Sequence, residues 1–308
     1  MEAFSLIRKK WWLVLTLAFL LTLPLYGSLF HVRLVNEMAI FALFAIATNL
    51  MLGYGGTMPF GQAAFFGAGA YACGLLLMEA GVPLPLCLIA AGILSACLAV
   101  IIGFFSLRLT GIYFAMITLA FSMMIWGVVW KWRSFTGGDD GLVGIPLPSA
   151  LAPVINYYYL CLGIVAFCMI LLLTIVRSPF GSILQAIREN RVRTEFVGIP
   201  VKRHLLIGFV ISGFFCGVAG ALFALLTRGA FTEYINYPTS VEVVLMCILG
   251  GVFSFAGPAL GAVVVILLES LISSYTEYWL VIMGVVLILL VEFVPGGIVG
   301  LIRQRKGA

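Results

Sequence analysis

Between Arg177 and Arg203 the sequence sets eight charged residues: Arg177, Arg188, Glu189, Arg191, Arg193, Glu195, Lys202 and Arg203. Six cations and two carboxylates at this spacing suit electrostatic docking. A helix drawn through Phe180–Asn190 gathers Phe180, Leu184 and Ile187 on one face, with Ile183 beside them, and places Gln185, Arg188 and Glu189 elsewhere. Ser178 is a candidate cap, Pro179 is tolerated in a first turn, and Gly198, Ile199 and Pro200 end the element. An apolar ridge with charged flanks can enter a groove of another protein. It can also lie on anionic lipid. The residue types suit both.

Other reactive side chains form no set. No nucleophile triad, metal-ligand cluster or GxxxxGK[ST] phosphate loop occurs. The chain is therefore expected to be no enzyme and to carry no cofactor. If it drives transport, the energy comes from an ion gradient or from another chain. The seven cysteines lie in apolar segments without a CxxC partner and read as packing residues. His31 and His204 read as interfacial. Asp139 and Asp140 lack the alternating oxygen ligands of a calcium loop and read as an Asp-Gly turn.

The elements that position these residues must sit in a bilayer, because a chain 63% hydrophobic and 9% charged cannot cover a soluble surface. A spanning helix needs about 20 apolar residues. Ten segments qualify: 13–30, 34–52, 60–78, 84–105, 112–130, 157–176, 205–227, 240–254, 257–275 and 279–294. The eighth is short and Gly-interrupted, so the count is nine or ten. The runs are continuous, not alternating, which excludes a β-barrel. The first is expected to be an uncleaved helix, not a signal peptide. With the N-terminus inside and ten crossings, thirteen Lys/Arg fall inside and four outside. Both termini and the 178–204 loop are then cytoplasmic, and the 131–156 loop is outside. A loop that long is expected to receive a partner.

Two glycine-rich segments, "LGYGGTMPFGQAAFFGAGAY" (52–71) and "LGGVFSFAGPALGA" (249–262), should break helices near membrane depth. Exposed backbone there must be buried in protein or line a wet cavity. Such breaks mark a substrate path in transporters, or close helix packing through small residues. The path candidates are Asn49, Gly55, Gly56, Thr57, Gln62, Thr118, Gly250 and Gly251, with Ser122 and Ser212 also in question. Each polar one could equally be an interhelical hydrogen bond. Glu242, Glu269 and Glu292 are expected near helix ends.

The motifs "GYGGTMPFGQAAFFGAGAY", "LTGIYFAMITLAF", "TGGDDGLVGI", "SPFGSILQAIRENRVRTEFVGIPVKRH" and "LMCILGGVFSFAGPALGA" occur in the order of one family. The chain resembles the M-type permeases of branched-chain amino acid ABC transporters from about Asn36 to Gly300. The resemblance implies one all-α permease domain over 1–308 in a bacterial inner membrane. Implied partners are an H-type permease, two cytoplasmic ATPase subunits holding ATP and Mg, and a periplasmic binding protein that delivers an amino acid or related acid. No nucleic acid is expected. It also implies an ATPase-coupling motif, on which Gly181, Ala186, Arg188, Glu189, Asn190 and Gly198 fall; Phe180, Leu184 and Ile187 of the apolar ridge join them as expected ATPase-coupling residues. Members often carry a lysine near Leu205, whereas here the basic residues stop at Lys202 and Arg203. The rivals are an ion-driven secondary carrier and a membrane scaffold that moves no solute.

Overall fold

The computed structural model describes residues 24, 28–148, 151, 153–275, 281–282, 284–285, 288 and 297–304. The expected spans 13–30 and 279–294 lie almost wholly outside the described residues, as do Arg8, Lys9, Lys10, Glu292, Arg305 and Lys306.

The apolar runs form helices close to where their lengths and turn residues put them. In chain order these are α1 (Leu29–Asn49), α2 (Gln62–Glu79), α3 (Leu84–Ser106), α4 (Ile112–Lys131) and α5 (Val154–Arg177). Then come α6 (Pro179–Glu189), α7 (Arg191–Phe196), α8 (Val201–Thr227), α9 (Tyr237–Gly250), α10 (Gly257–Ser273) and α11 (Gly297–Gln304). Proline at the first or second position starts α3, α6, α9 and α10, where a missing N–H costs no intrahelical bond. Among the described residues, five helical stretches are long and apolar enough to cross a bilayer: Leu29–Tyr54, α3, α4, α5 and α8. α9 and α10 are apolar but shorter.

The centre of the molecule is α1, α2 and α8. Small residues bring their backbones together: Gly69 of α2 faces Gly217 of α8, and Gly220 faces the Phe66 carbonyl. A Cβ at Gly213 would stand 2.6 Å from the Ala99 Cβ on α3. Close packing through small residues is therefore realised at Gly213 and Gly217, whereas Gly67 makes room for Ile235. Phe44, Phe66, Phe223 and Tyr234 fill the space between, with successive ring centroids 4.6, 5.7 and 4.9 Å apart. α4 and α5 form the outer layer, with only 22% of their spanning windows buried against 72% for α8.

The loop after α4 is not free chain. Leu142–Val143 (β1) pairs antiparallel with Gly229–Ala230 (β2), Leu142 opposite Ala230. The N–H groups of Gly144 and Ile145 both donate to the Arg228 carbonyl. Ile145 is buried against α2 beside Gly74. This two-residue ladder is the one departure from an all-α fold among the described residues.

Candidate functional site: two helix breaks and the 178–204 loop

α1 does not stop at Asn49. It widens into a π turn over Leu50–Tyr54, and the chain then runs irregularly to Gln62. Gly55 N–H donates to Leu50 O and Thr57 N–H to Met51 O. Gly56 sits at φ +66, a conformation that β-carbons disfavour. The second break follows α9. Gly251 lies at φ +112, and Val252–Ala256 is a string of bends before α10.

The two breaks meet. Asn49 Nδ2 donates to Val252 O at 3.0 Å, and a Cβ on Gly53 would collide with that same carbonyl. Gly250 packs on the Gly257 backbone, and Gly297 at the start of α11 closes on Gly251. The polar path candidates are thus tied into this frame. Thr118 Oγ1 accepts from Phe60 N–H (3.2 Å) while donating to Phe114 O and Ala115 O, holding the irregular segment against α4. Gln62 is fully buried and its Oε1 accepts from Cys216 Sγ (3.3 Å) and Ser212 Oγ (3.5 Å). Ser212 also donates to Ala47 O. Ser122 donates to Ile235 O, fixing the 3-10 turn Thr232–Ile235 under α4. Glycine 56 and Thr57 differ from the rest: with Met58, Gly111 and Met116 they line a cavity of about 490 Å3.

The 178–204 loop folds back onto the breaks. Its α6 forms as expected, but its apolar ridge is spent inside the chain. Leu184 and Ile187 are buried, and Leu184 rests on Gly208 of α8. Phe180 stacks on His204 at 6.1 Å. Gly181 is pressed on the Val176 backbone. Ser178 takes the N-cap position but donates its hydroxyl to Ile175 O, so it caps nothing. Asn190 ends α6 and caps α7, its Oδ1 accepting from Arg193 N–H at 2.9 Å. Thr194 locks the corner by donating to Ala186 O. Gly198, at φ +90 with open space around it, turns the chain toward α8.

Sequence reasoning missed two features. Arg188 turns inward: Nη1 donates to Gly53 O at 2.6 Å, and the guanidinium lies 5.0 Å over the Phe253 ring. The free apolar surface belongs to α7, not α6: Val192, Phe196 and Val197 are 61%, 86% and 76% exposed. Exposure of a phenylalanine beside Arg193 and Glu195 was the available signal, but only the fold says which face is already used.

A family model described as the branched-chain amino acid transport system permease component matches residues 30–291. The chain belongs to this family. As a permease it is a multi-pass membrane protein and a transport component, not an enzyme. The permease is 26% identical to the high-affinity branched-chain amino acid transport system permease protein LivM of Escherichia coli, over 98% of this chain and 77% of that one. It is 33% identical to the Escherichia coli permease protein LivH over 44% of this chain and 46% of that one. A Bacillus subtilis guanosine ABC transporter permease protein, NupP, is 32% identical over 33% of this chain and 34% of its own. No solved structure matches.

Proposed function

We propose that this permease is one half of the translocation pathway of an ATP-driven importer for branched-chain or related amino acids. The observation that carries the proposal is the family match across 30–291, which spans both breaks and the 178–204 loop. The other half is an H-type permease. Two cytoplasmic ATPase subunits, with ATP and Mg, supply the energy. A periplasmic binding protein delivers cargo to the outer face, where residues 131–156 form the receiving surface. The membrane is the bacterial inner membrane, crossed ten times, with both termini in the cytoplasm.

Within that reading the site residues divide by what they touch. Ala186, Glu189, Asn190 and Gly198 are exposed and, with Val192, Phe196 and Val197, meet the ATPase. Gly181, Leu184 and Ile187 brace that surface from behind, with Phe180 at its edge. Gly56 and Thr57 border the cargo path at the 490 Å3 cavity, a volume within the ~300–1,000 Å3 of small-molecule sites. Asn49, Gly55, Gln62, Thr118, Gly250 and Gly251 hold the path's frame.

The test is uptake by vesicles containing both permeases and the ATPases, supplied with the binding protein and a panel of amino acids plus guanosine. Uptake of an amino acid that needs ATP is expected. Uptake by this chain without an ATPase, driven by a proton or sodium gradient, would replace the importer with a secondary carrier.

A further inference from the structure

The contacts of Arg188 are specific to three places that are distant in sequence. Gly53 O would ordinarily accept the Thr57 N–H of the next turn. Thr57 instead donates to Met51 O, because the π turn has shifted the ladder. A carbonyl released at membrane depth needs another donor. Arg188 supplies it from 135 residues away, at 2.6 Å. The aliphatic stem of Arg188 lies on Gly56, where a Cβ would stand 2.7 Å from its Cγ and 3.0 Å from its Cβ. Gly56 is therefore constrained twice, by its φ and by this stem. The guanidinium also lies 5.0 Å from the centroid of the Phe253 ring, in the turn of the second break, touching a ring that is otherwise 77% exposed. Both contacts use Arg chemistry: a charged, planar donor that bonds an oxygen at its edge and stacks through its face.

We propose that Arg188 is a positioning residue that ties α6 to both helix breaks, so that displacement of the 178–204 loop moves Gly53–Gly56 and Phe253 together. This deepens the importer reading and rests on it for the source of the displacement. It assigns Arg188 to transmission within the chain instead of contact with the ATPase. A rigid α6 braced by Leu184 and Ile187 acts as the lever arm, and the Arg188 contacts are its joint. The breaks can follow because the glycines at 53 and 250 lack side chains that would jam against neighbouring backbone, and Gly56 lacks one that would meet the Arg188 stem.

The experiment uses the full assembled complex in nanodiscs, with spin labels at Ser182→Cys and Ala256→Cys, both exposed and outside the docking surface, in a Cys97→Ser background. Arg188 should give one narrow distance distribution, and Arg188→Ala a broadened or displaced one. Co-purification of the ATPase should stay at its wild-type level. Solute moved per ATP hydrolysed should fall at least about tenfold, the factor expected for losing a hydrogen bond from a charged donor. Phe253→Ala removes only an exposed ring, so it keeps the test available if Arg188→Ala does not fold. It should uncouple in the same direction by a smaller factor. Unchanged distances and unchanged coupling in these variants would overturn the proposal. Loss of ATPase co-purification with coupling intact per bound ATPase would overturn it too, returning Arg188 to the docking surface. Absence of ATP-dependent uptake in the parent complex defeats the importer reading instead, and the distance comparison still decides the joint.

Discussion

Asn49 at the end of α1 and Val252 beyond the end of α9 are joined directly, side-chain Nδ2 to backbone carbonyl at 3.0 Å. The bond closes a gap of 203 residues and makes one wall of two interrupted helices. It also explains why Gly53 can carry no side chain, since the Val252 carbonyl occupies that space. A backbone oxygen in an unwound segment has no ladder partner of its own, so the amide takes the place of a helical N–H.

Replacing Asn49 by leucine keeps the branched outline, adds bulk and removes the donor. The Val252 carbonyl is then left without this bond, at a cost of about 1–3 kcal/mol. The expected result is a lower midpoint of thermal unfolding in detergent, with a larger loss of transport than of folded protein. An unchanged midpoint would mean that the Val252 carbonyl finds water.

Two glycines of the spanning helices should respond oppositely to the same substitution. Gly220 on α8 faces the Phe66 backbone, with no room for a methyl group. Gly220→Ala must push α2 and α8 apart, and overpacking costs about 1–3 kcal/mol. Gly163 on α5 has nothing within 4 Å of a would-be Cβ. Gly163→Ala should be neutral or slightly stabilising, because glycine is the poorer helix former. Yield and monodispersity in size-exclusion chromatography separate the two. Equal behaviour would contradict the close α2–α8 contact.

The 178–204 loop offers a second contrast. Leu184 is fully buried, so Leu184→Ala should destabilise the permease by about 2–5 kcal/mol through loss of contacts and a residual cavity. Phe196 is 86% exposed, and Phe196→Ala should leave stability within about 0.5 kcal/mol. If α7 meets the ATPase, that same variant weakens co-purification about tenfold, as removal of a central aromatic does at an interface. Full co-purification from Phe196→Ala would move the docking surface away from α7.

Continuous apolar runs and their Gly/Pro ends were enough to locate α2, α3, α4, α5, α8, α9 and α10 to within about four residues, because burial in lipid rewards any uninterrupted apolar helix. The breaks were equally visible, since clustered glycines leave little else for the chain to do. Three features were hidden for one reason, that tertiary competition settles them. Ser178 looks like a cap, yet the Ile175 carbonyl claims its hydroxyl. Leu184 and Ile187 look like a docking ridge, yet α8 offers Gly208 as a nearer surface for Leu184. Arg188 reads as a contact for anionic lipid or an ATPase, yet a carbonyl released by a π turn draws it inward. The pairing of Leu142 with Ala230 was also out of reach, as two-residue strands leave no pattern.

The cysteines test where lipid ends and protein begins. Of the seven, Cys97 alone is exposed in the structure; the other six are buried. Cys97 lies inside α3, a helix long and apolar enough to cross the bilayer. Its exposed neighbours on that helix include Ile93, Leu94, Val100 and Ile101. That surface has no hydrogen-bonding group to hold water and is expected to face acyl chains. Thiol modification proceeds through the thiolate, which lipid does not solvate. A charged maleimide applied to intact and inverted membrane vesicles should therefore modify none of the seven, while denaturation in SDS should release all of them. Rapid modification of Cys97 in native vesicles would show an aqueous surface on α3 and move the cargo path, or a partner's wet interface, to that side of the permease.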